Sequence, residues 1–318
     1  MPKSSKSKRW GRKFVDERDW PTYNEQLVVR GEFYLDLDFV KGWCRELDQM
    51  NEGKRGGQYK FPESYIRWQA VWKQWVDYRG LEGISRSLAR YGFIPEYADY
   101  STTWNRVHNM VPEIALPTEE ELEVATDGSG LKSGSAGEYR MFKYKQKSKR
   151  KYLVIVITAD VRRKKLLKVE AYIQKKGKSE PKIAKKHLKK LKKDGKKVKK
   201  LYGDGAMDSN ELFTYLDKEK IGSAIKLRSN ASTDHCRGSR RRRDEIRKLQ
   251  ECGYKLWAYR KRYGKRWAVE GIFSAVKRMF SENTTSKSEK TLRAEGVQRF
   301  WAYDVLNEYG AKAPAVMC

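Results

Sequence analysis

YGKRWAVEGIFSAVK, residues 263–277, carries two patterns at once. Wound as a helix at about 100° per residue, Tyr263, Arg266, Glu270 and Lys277 fall within an arc of about 60°. Val269, Ile272, Phe273, Val276, Met279 and Phe280 gather into a separate apolar stripe. One side suits a core, and the other presents a single carboxylate among cations. An ordinary surface helix with salt-bridge partners reads the same way. Two aspartates upstream sharpen the meaning: Asp127 and Asp204 each close an apolar run, and each is followed by glycine.

The chain has 318 residues, enough for about two domains. Its 70 Lys and Arg against 41 Asp and Glu give a net charge of +29, far beyond what solubility needs. Such an excess points to a polyanionic partner, nucleic acid before an anionic membrane surface. Ten Trp and nineteen Tyr among the cations favour nucleic acid, because rings stack on bases while Lys and Arg neutralise phosphates. No stretch approaches the roughly 18 apolar residues of a membrane span. The basic start, MPKSSKSKRWGRK, lacks the apolar core of a signal peptide. The expected location is therefore the cytoplasm, associated with the nucleoid. Cys44, Cys236, Cys252 and Cys318 have no CxxC spacing, which supports neither a disulfide framework nor a zinc ribbon. His235, Cys236 and Cys252 lack a fourth metal ligand.

Three segments are expected. Residues 1–24 form a basic mobile tail, 25–116 a helical DNA-binding domain, and 117–318 a catalytic domain with a basic insertion at about 228–262. In the first domain a helix is predicted over 33–50. A second, from Pro62 to Tyr78, carries Tyr65, Trp68, Trp72 and Trp75 on one core stripe. Arg79-Gly80 is read as a break, followed by a helix over 81–91. A last short helix, capped by Ser101, would expose Thr102, Thr103, Asn105, Arg106 and Asn109. That order suits a helix-turn-helix variant whose last helix enters the major groove, with Asn105 and Arg106 on DNA; a plain helical bundle fits equally.

PEIALPTEEE (112–121) reads as a linker. Strands follow at 122–127, 152–160 and 166–173, with a long hairpin loop between Asp127 and Lys151. A Lys-rich helix over about 180–194, a strand at 198–204, a helix at about 207–219 and a strand at 222–227 complete an α/β mixed sheet. The run RGSRRRRDEIRK, with Arg240, Arg241, Arg242 and Arg243, reads as DNA contact, or alternatively as a solvated linker.

If the first and fourth strands are neighbours, Asp127 and Asp204 emerge side by side, and the late helix can supply Glu270. Three converging carboxylates call for hard cations with oxygen ligands, Mg²⁺ or Mn²⁺. Two such ions about 4 Å apart suit in-line phosphoryl displacement. Each aspartate also reads as a turn residue. Gly128, Gly130, Gly203 and Gly205 leave room for close approach to the carboxylates.

Asp127, Asp204 and Glu270, in that order on those elements, resemble the DDE triad of transposases with a ribonuclease-H-like fold. The late helix matches Y-x2-R-x3-E-x6-K, the signature of a large branch of prokaryotic insertion-sequence transposases, at all four positions. DGS and GDGAMDS resemble the motifs around the two aspartates, with Met207 where an aromatic residue is usual. The resemblance covers about residues 120–310. It implies a ribonuclease-H-like mixed sheet flanked by helices, preceded by an all-α helix-turn-helix-like domain. It further implies a magnesium-dependent enzyme of DNA recombination and transposition. That enzyme would cut phosphodiester bonds at the ends of its transposable element and join the 3′-hydroxyl ends to target DNA, with a homodimer on paired ends. Asp127, Asp204 and Glu270 would bind two Mg²⁺ (or Mn²⁺) ions, Arg266 and Lys277 would hold phosphates, and Tyr263 would contact DNA beside them. A metal-dependent nuclease without strand transfer, or a non-catalytic DNA-binding descendant, are the alternatives.

Overall fold

The computed structural model describes residues 19–133, 152–173, 178–231, 233 and 238–313. These fall into two compact units, 19–36 with 305–313, and 37–304. Most of the expected basic tail, residues 1–18, lies outside the described residues, as do His235 and Cys236.

In the smaller unit α1 (Trp20–Glu32) begins with a proline in its first turn, where no backbone N–H is needed. Phe33 meets Tyr309 edge-on at 5.3 Å. Gly310 lies so close to Gln26 that a Cβ would stand 2.5 Å from its carbonyl oxygen.

The larger unit opens with helices. The single helix expected over 33–50 is instead a 3₁₀ turn that belongs to the smaller unit, Phe33–Leu35, and, in the larger unit, a second 3₁₀ turn, Asp38–Gly42, followed by α2 (Trp43–Asn51). Asp36 is extended between the turns, in keeping with the weak helical preference of Asp. The break also lets Phe39 pack on Trp43, Tyr65 and Trp68. α3 (Glu63–Trp72) buries Tyr65, Ile66 and Trp68, but Trp75 lies beyond its end, where it meets Phe280 at 4.9 Å. α4 (Tyr78–Arg90) starts earlier than expected, because Asp77 accepts the Gly80 N–H and caps it. Arg79-Gly80 is thus a first turn rather than a break. α5 (Tyr100–Asn109) is capped by Asp99, not Ser101: the Asp99 carboxylate accepts the Thr102 N–H at 2.7 Å. Gln69 ties the three helices together from a fully buried position. It donates to Tyr65 and Ser85, and accepts from Thr103.

The sheet follows. β1 (Glu121–Ser133) is central, with β2 (Tyr152–Asp160) antiparallel to it and β3 (Lys165–Ile173) antiparallel to β2. After α6 (Glu180–Lys193), β4 (Lys197–Gly203) joins the other side of β1 in parallel. After α7 (Asn210–Lys218), β5 (Gly222–Ile225) pairs in parallel with β4. The order β3-β2-β1-β4-β5 is a ribonuclease-H-like mixed sheet. Then come α8 (Arg240–Arg260), α9 (Trp267–Phe280), the two-residue β6 (Asn283–Thr284) on β1, and α10 (Glu289–Gly310). β1 does not end at Asp127 but stays paired with β2 to Lys132. The rest of the expected hairpin loop, 134–151, lies outside the described residues.

Strand alternation sorts the two faces. Leu122, Val124 and Thr126 face α6: the first two share a core with Leu188 and Leu191, and Thr126 bonds Thr158, which bonds His187 of α6. On the other face Gly296 of α10 lies against Leu153 and Ile155, and α9 packs on β1 and β2. The basic segment over 228–262, read as a linker or DNA contact, is largely the helix α8, kinked at Gly253 (φ 71°). Asp208, with no side-chain exposure, accepts Arg242 Nε at 2.6 Å and Nη2 at 2.9 Å, so α8 is fastened beside α7 by a buried ion pair.

Candidate active site

The parallel register of β1 and β4 sets the first two carboxylates. Pairing runs as far as Ala125 opposite Tyr202, and two residues further along each chain stand Asp127 and Asp204. β1 continues while β4 ends at Gly203, so a crevice opens beside Asp127 at the carboxyl end of β4. Such crevices are where open α/β sheets hold ligands. Asp204 caps the 3₁₀ turn Gly205–Met207 by accepting the Ala206 N–H at 2.8 Å. Met207 is fully buried beneath the turn. Gly203 makes room for it, since a Cβ there would stand 2.8 Å from Met207 Cγ.

Asp127 has the opposite parity to Thr126 and meets the α9 side. Its Oδ1 accepts the Gly128 N–H at 2.9 Å, and its Oδ2 accepts Arg266 Nη1 at 2.9 Å. Arg266 also donates through Nη2 to Glu270, so one guanidinium stands between Asp127 and the carboxylate of α9. Arg266 Nε is buried without a partner among the described residues.

A carboxylate that sequence reading passed over completes the cluster. Glu180, in the first turn of α6, offers an oxygen that lies with oxygens of Asp127 and Asp204 within 4.8 Å of one another. It reaches them across Gly128: a Cβ on that residue would stand 2.5 Å from Glu180 Cδ and Oε1. Burial, then the Asp204 charge, raises the Asp127 carboxyl to about 6. Burial, then the charges of Asp204 and Asp127, raises Glu180 to about 7. This crowding of oxygen donors fits a hard divalent cation, which would neutralise the mutual repulsion. Sequence did hold one signal. Glu180 is the only acidic residue between Glu170 and Asp194, in a run otherwise rich in lysine.

The remaining predicted site residues are scattered. Tyr263 is not on the helix face expected of it. Arg262 is left-handed (φ 52°), residues 263–266 form a 3₁₀ turn, and the ring points inward at 5% exposure against Trp257, 5.4 Å away. Lys265 in that turn donates to Glu123 of β1 at 2.6 Å, anchoring the entry to α9. Lys277 lies 3.5 Å from Glu282. Among the four arginines Arg240 is exposed, Arg241 is 3.9 Å from Asp217, Arg243 donates to the Gly238 carbonyl, and Arg242 is consumed by Asp208. On α5 Asn105 is exposed, whereas Arg106 turns in to Glu63 and the Phe61 carbonyl, and Thr103 is buried. A cavity of about 780 Å³ lined by Trp75, Tyr78, Trp104, His108 and Arg299 holds none of the four carboxylates.

A transposase DDE domain model matches residues 119–305, and a second model of the same description matches 28–135. The first covers more than half of the chain, and the protein belongs to the DDE transposase family, a family of enzymes. Among solved structures it is similar to a piggyBac transposase synaptic complex with hairpin DNA. There the identity is 12%, the match covers 91% of this chain and 77% of that one, and the TM-score is 0.34. The Drosophila P element transposase strand transfer complex matches at 12% identity over 86% of each chain, TM-score 0.33. A pre-cleavage Mos1 transpososome matches at 9% identity over 93% and 99%, TM-score 0.22. No helix among the described residues is long and apolar enough to cross a membrane.

Proposed function

We propose that this chain is the transposase of a prokaryotic insertion sequence, which cuts phosphodiester bonds at the ends of its element and joins the freed 3′-hydroxyls to target DNA. The observation that carries this reading is the meeting of Asp127 and Asp204 at the β1–β4 crevice, with Glu270 one arginine away, inside a transposase DDE domain. Asp127, Asp204 and Glu270 would hold two Mg²⁺ or Mn²⁺ ions. When bound, the ions supply Lewis-acid activation of the attacking oxygen and neutralise charge on the phosphoryl group.

The chain's own residues do the rest. Arg266 fixes the orientations of Asp127 and Glu270, Lys277 stands further along the same helix to meet phosphate, and exposed arginines such as Arg240 add sequence-independent attraction. Asn105 lies on the exposed face of α5, where base edges would be read. Residues 25–116 would grip the ends, 117–318 would carry the chemistry, and two copies would act on paired ends at the nucleoid.

The test is incubation of the purified chain with Mg²⁺, DNA carrying the element's ends, and a target plasmid. Cut ends and end-joined plasmid are expected with Mg²⁺ and neither in a chelator. Cutting without joining would leave a nuclease, and binding without cutting a non-catalytic protein.

A further inference from the structure

We propose that Glu180 is a fourth metal-ligating carboxylate of this active site, holding a divalent cation together with Asp127 and Asp204 from the α6 face of the sheet, while Glu270 approaches from the α9 face. The inference rests on the metal-dependent reading above and adds a residue to it.

Three observations converge. First, the donor atoms are in place: oxygens of Asp127, Glu180 and Asp204 lie within 4.8 Å of one another, whereas Glu270 is held by Arg266. Two of these residues are the aspartates at the β1–β4 crevice of a transposase DDE domain, so the cluster is not a chance acidic patch.

Second, Glu180 makes no hydrogen bond or ion pair among the described residues, although its own helix is rich in lysine. The neighbouring carboxylates behave differently. Lys185 binds Glu211 at 2.9 Å, Lys186 binds Glu170 at 2.6 Å, and Lys192 binds Glu219 at 2.5 Å. A glutamate in the first helical turn is favoured by the helix dipole, but the dipole acts on the charge wherever the side chain turns. It does not require that the carboxylate be directed at two others.

Third, the backbone is shaped for it. Asp127 points to the α9 side of β1, and Glu180 starts from the α6 side. The two reach one another because Gly128 has no side chain, and any Cβ there would strike the Glu180 carboxylate at 2.5 Å. The glycine of the DGS motif is thus the notch through which α6 enters the site.

The test is Mn²⁺ binding to the full chain without DNA, read from the electron paramagnetic resonance signal of free Mn²⁺. Asp127→Asn and Asp204→Asn define the site and should abolish tight binding. Glu180→Gln keeps shape and removes charge, and should weaken binding at least about tenfold, the effect of losing one charged ligand. Gly128→Ala should weaken binding comparably in the wild-type background and add little to Glu180→Gln, because both changes remove the same ligand. Wild-type affinity in Glu180→Gln, with binding lost in Asp127→Asn, would overturn the role of Glu180 and leave the metal site standing. Wild-type affinity in both aspartate variants would overturn the metal reading itself. A melting temperature of metal-free Glu180→Gln at or above wild type separates ligand loss from misfolding. If that variant melts low, the Gly128→Ala arm decides: unchanged affinity there overturns the proposal.

Discussion

Arg242→Ala is the substitution for which the structure gives the firmest magnitude. The Asp208 carboxylate has no exposed side-chain surface and accepts three donors: Arg242 Nε at 2.6 Å, Arg242 Nη2 at 2.9 Å and the Arg228 N–H at 3.1 Å. Removing the guanidinium takes two of the three and strands a buried charge, a change that typically costs about 3–5 kcal/mol. Arg240 is exposed, and Arg241 is 3.9 Å from an Asp217 that is itself 65% exposed. Losing either should cost under about 1 kcal/mol. With a urea slope of about 3 kcal/mol/M, Arg242→Ala should lower the unfolding midpoint by about 1–1.7 M and Arg240→Ala by under about 0.3 M. Asp208→Asn combined with Arg242→Met should recover much of the loss, because no charge is then stranded and the Arg228 N–H keeps an acceptor. DNA affinity should show the reverse pattern: Arg240→Ala flattens its salt dependence, while folded Arg242→Ala binds almost as wild type. Equal midpoints for Arg242→Ala and Arg240→Ala would refute the reasoning.

Three further outcomes are expected. Folded Asp127 is raised from 3.8 to about 6 and Glu180 from 4.5 to about 7. The folded state therefore favours their protonated forms, and this contribution is present below about pH 4 and lost as pH rises through 6 to 7. Calorimetry of the metal-free protein should show melting fall over that window, with Mg²⁺ restoring more at pH 8 than at pH 5. Glu270→Gln should slow end cleavage at least a hundredfold, about 3 kcal/mol of transition-state stabilisation, while gel-shift affinity survives; near wild-type cleavage under saturating Mg²⁺ would remove Glu270 from the chemistry. Gly203→Ala drives a methyl to 2.8 Å from Met207 Cγ in a filled core and should cost about 1–3 kcal/mol in urea unfolding.

Strand pattern was the most legible part of the sequence. The apolar run over 152–160 is β2 to the residue and Asp204 directly follows the end of β4, whereas Asp127 stands inside β1 rather than at its end. What escaped was set by tertiary partners. Tyr263 fits a helical wheel, yet the left-handed Arg262 and the pull of Lys265 toward Glu123 make that turn 3₁₀ and bury the ring. Arg106 and Arg242 look like free cations in one dimension, and only the fold reveals Glu63 and Asp208 opposite them. Helix starts slip for a local reason: Asp77 caps α4 ahead of the Arg79-Gly80 pair that reads as a break, and Asp99 rather than Ser101 caps α5. Glu180 was invisible to motif reading because its partners lie on other elements.

The site's carboxylates are mounted on β1, on α6, after β4 and on α9, so no contiguous fragment holds more than part of it. During synthesis the helices and the whole β1-to-β5 sheet can be complete while Glu270 has yet to be added. On the role proposed for Glu270, a nascent chain, or a product of early termination, would carry both aspartates and still be chemically inert. Because β6 must also return from residues 283–284 to β1, the last closure spans nearly the full length of the α/β region. Such long-range closure is slow relative to local helix formation, which makes the appearance of activity a late and all-or-none report that the whole chain has folded.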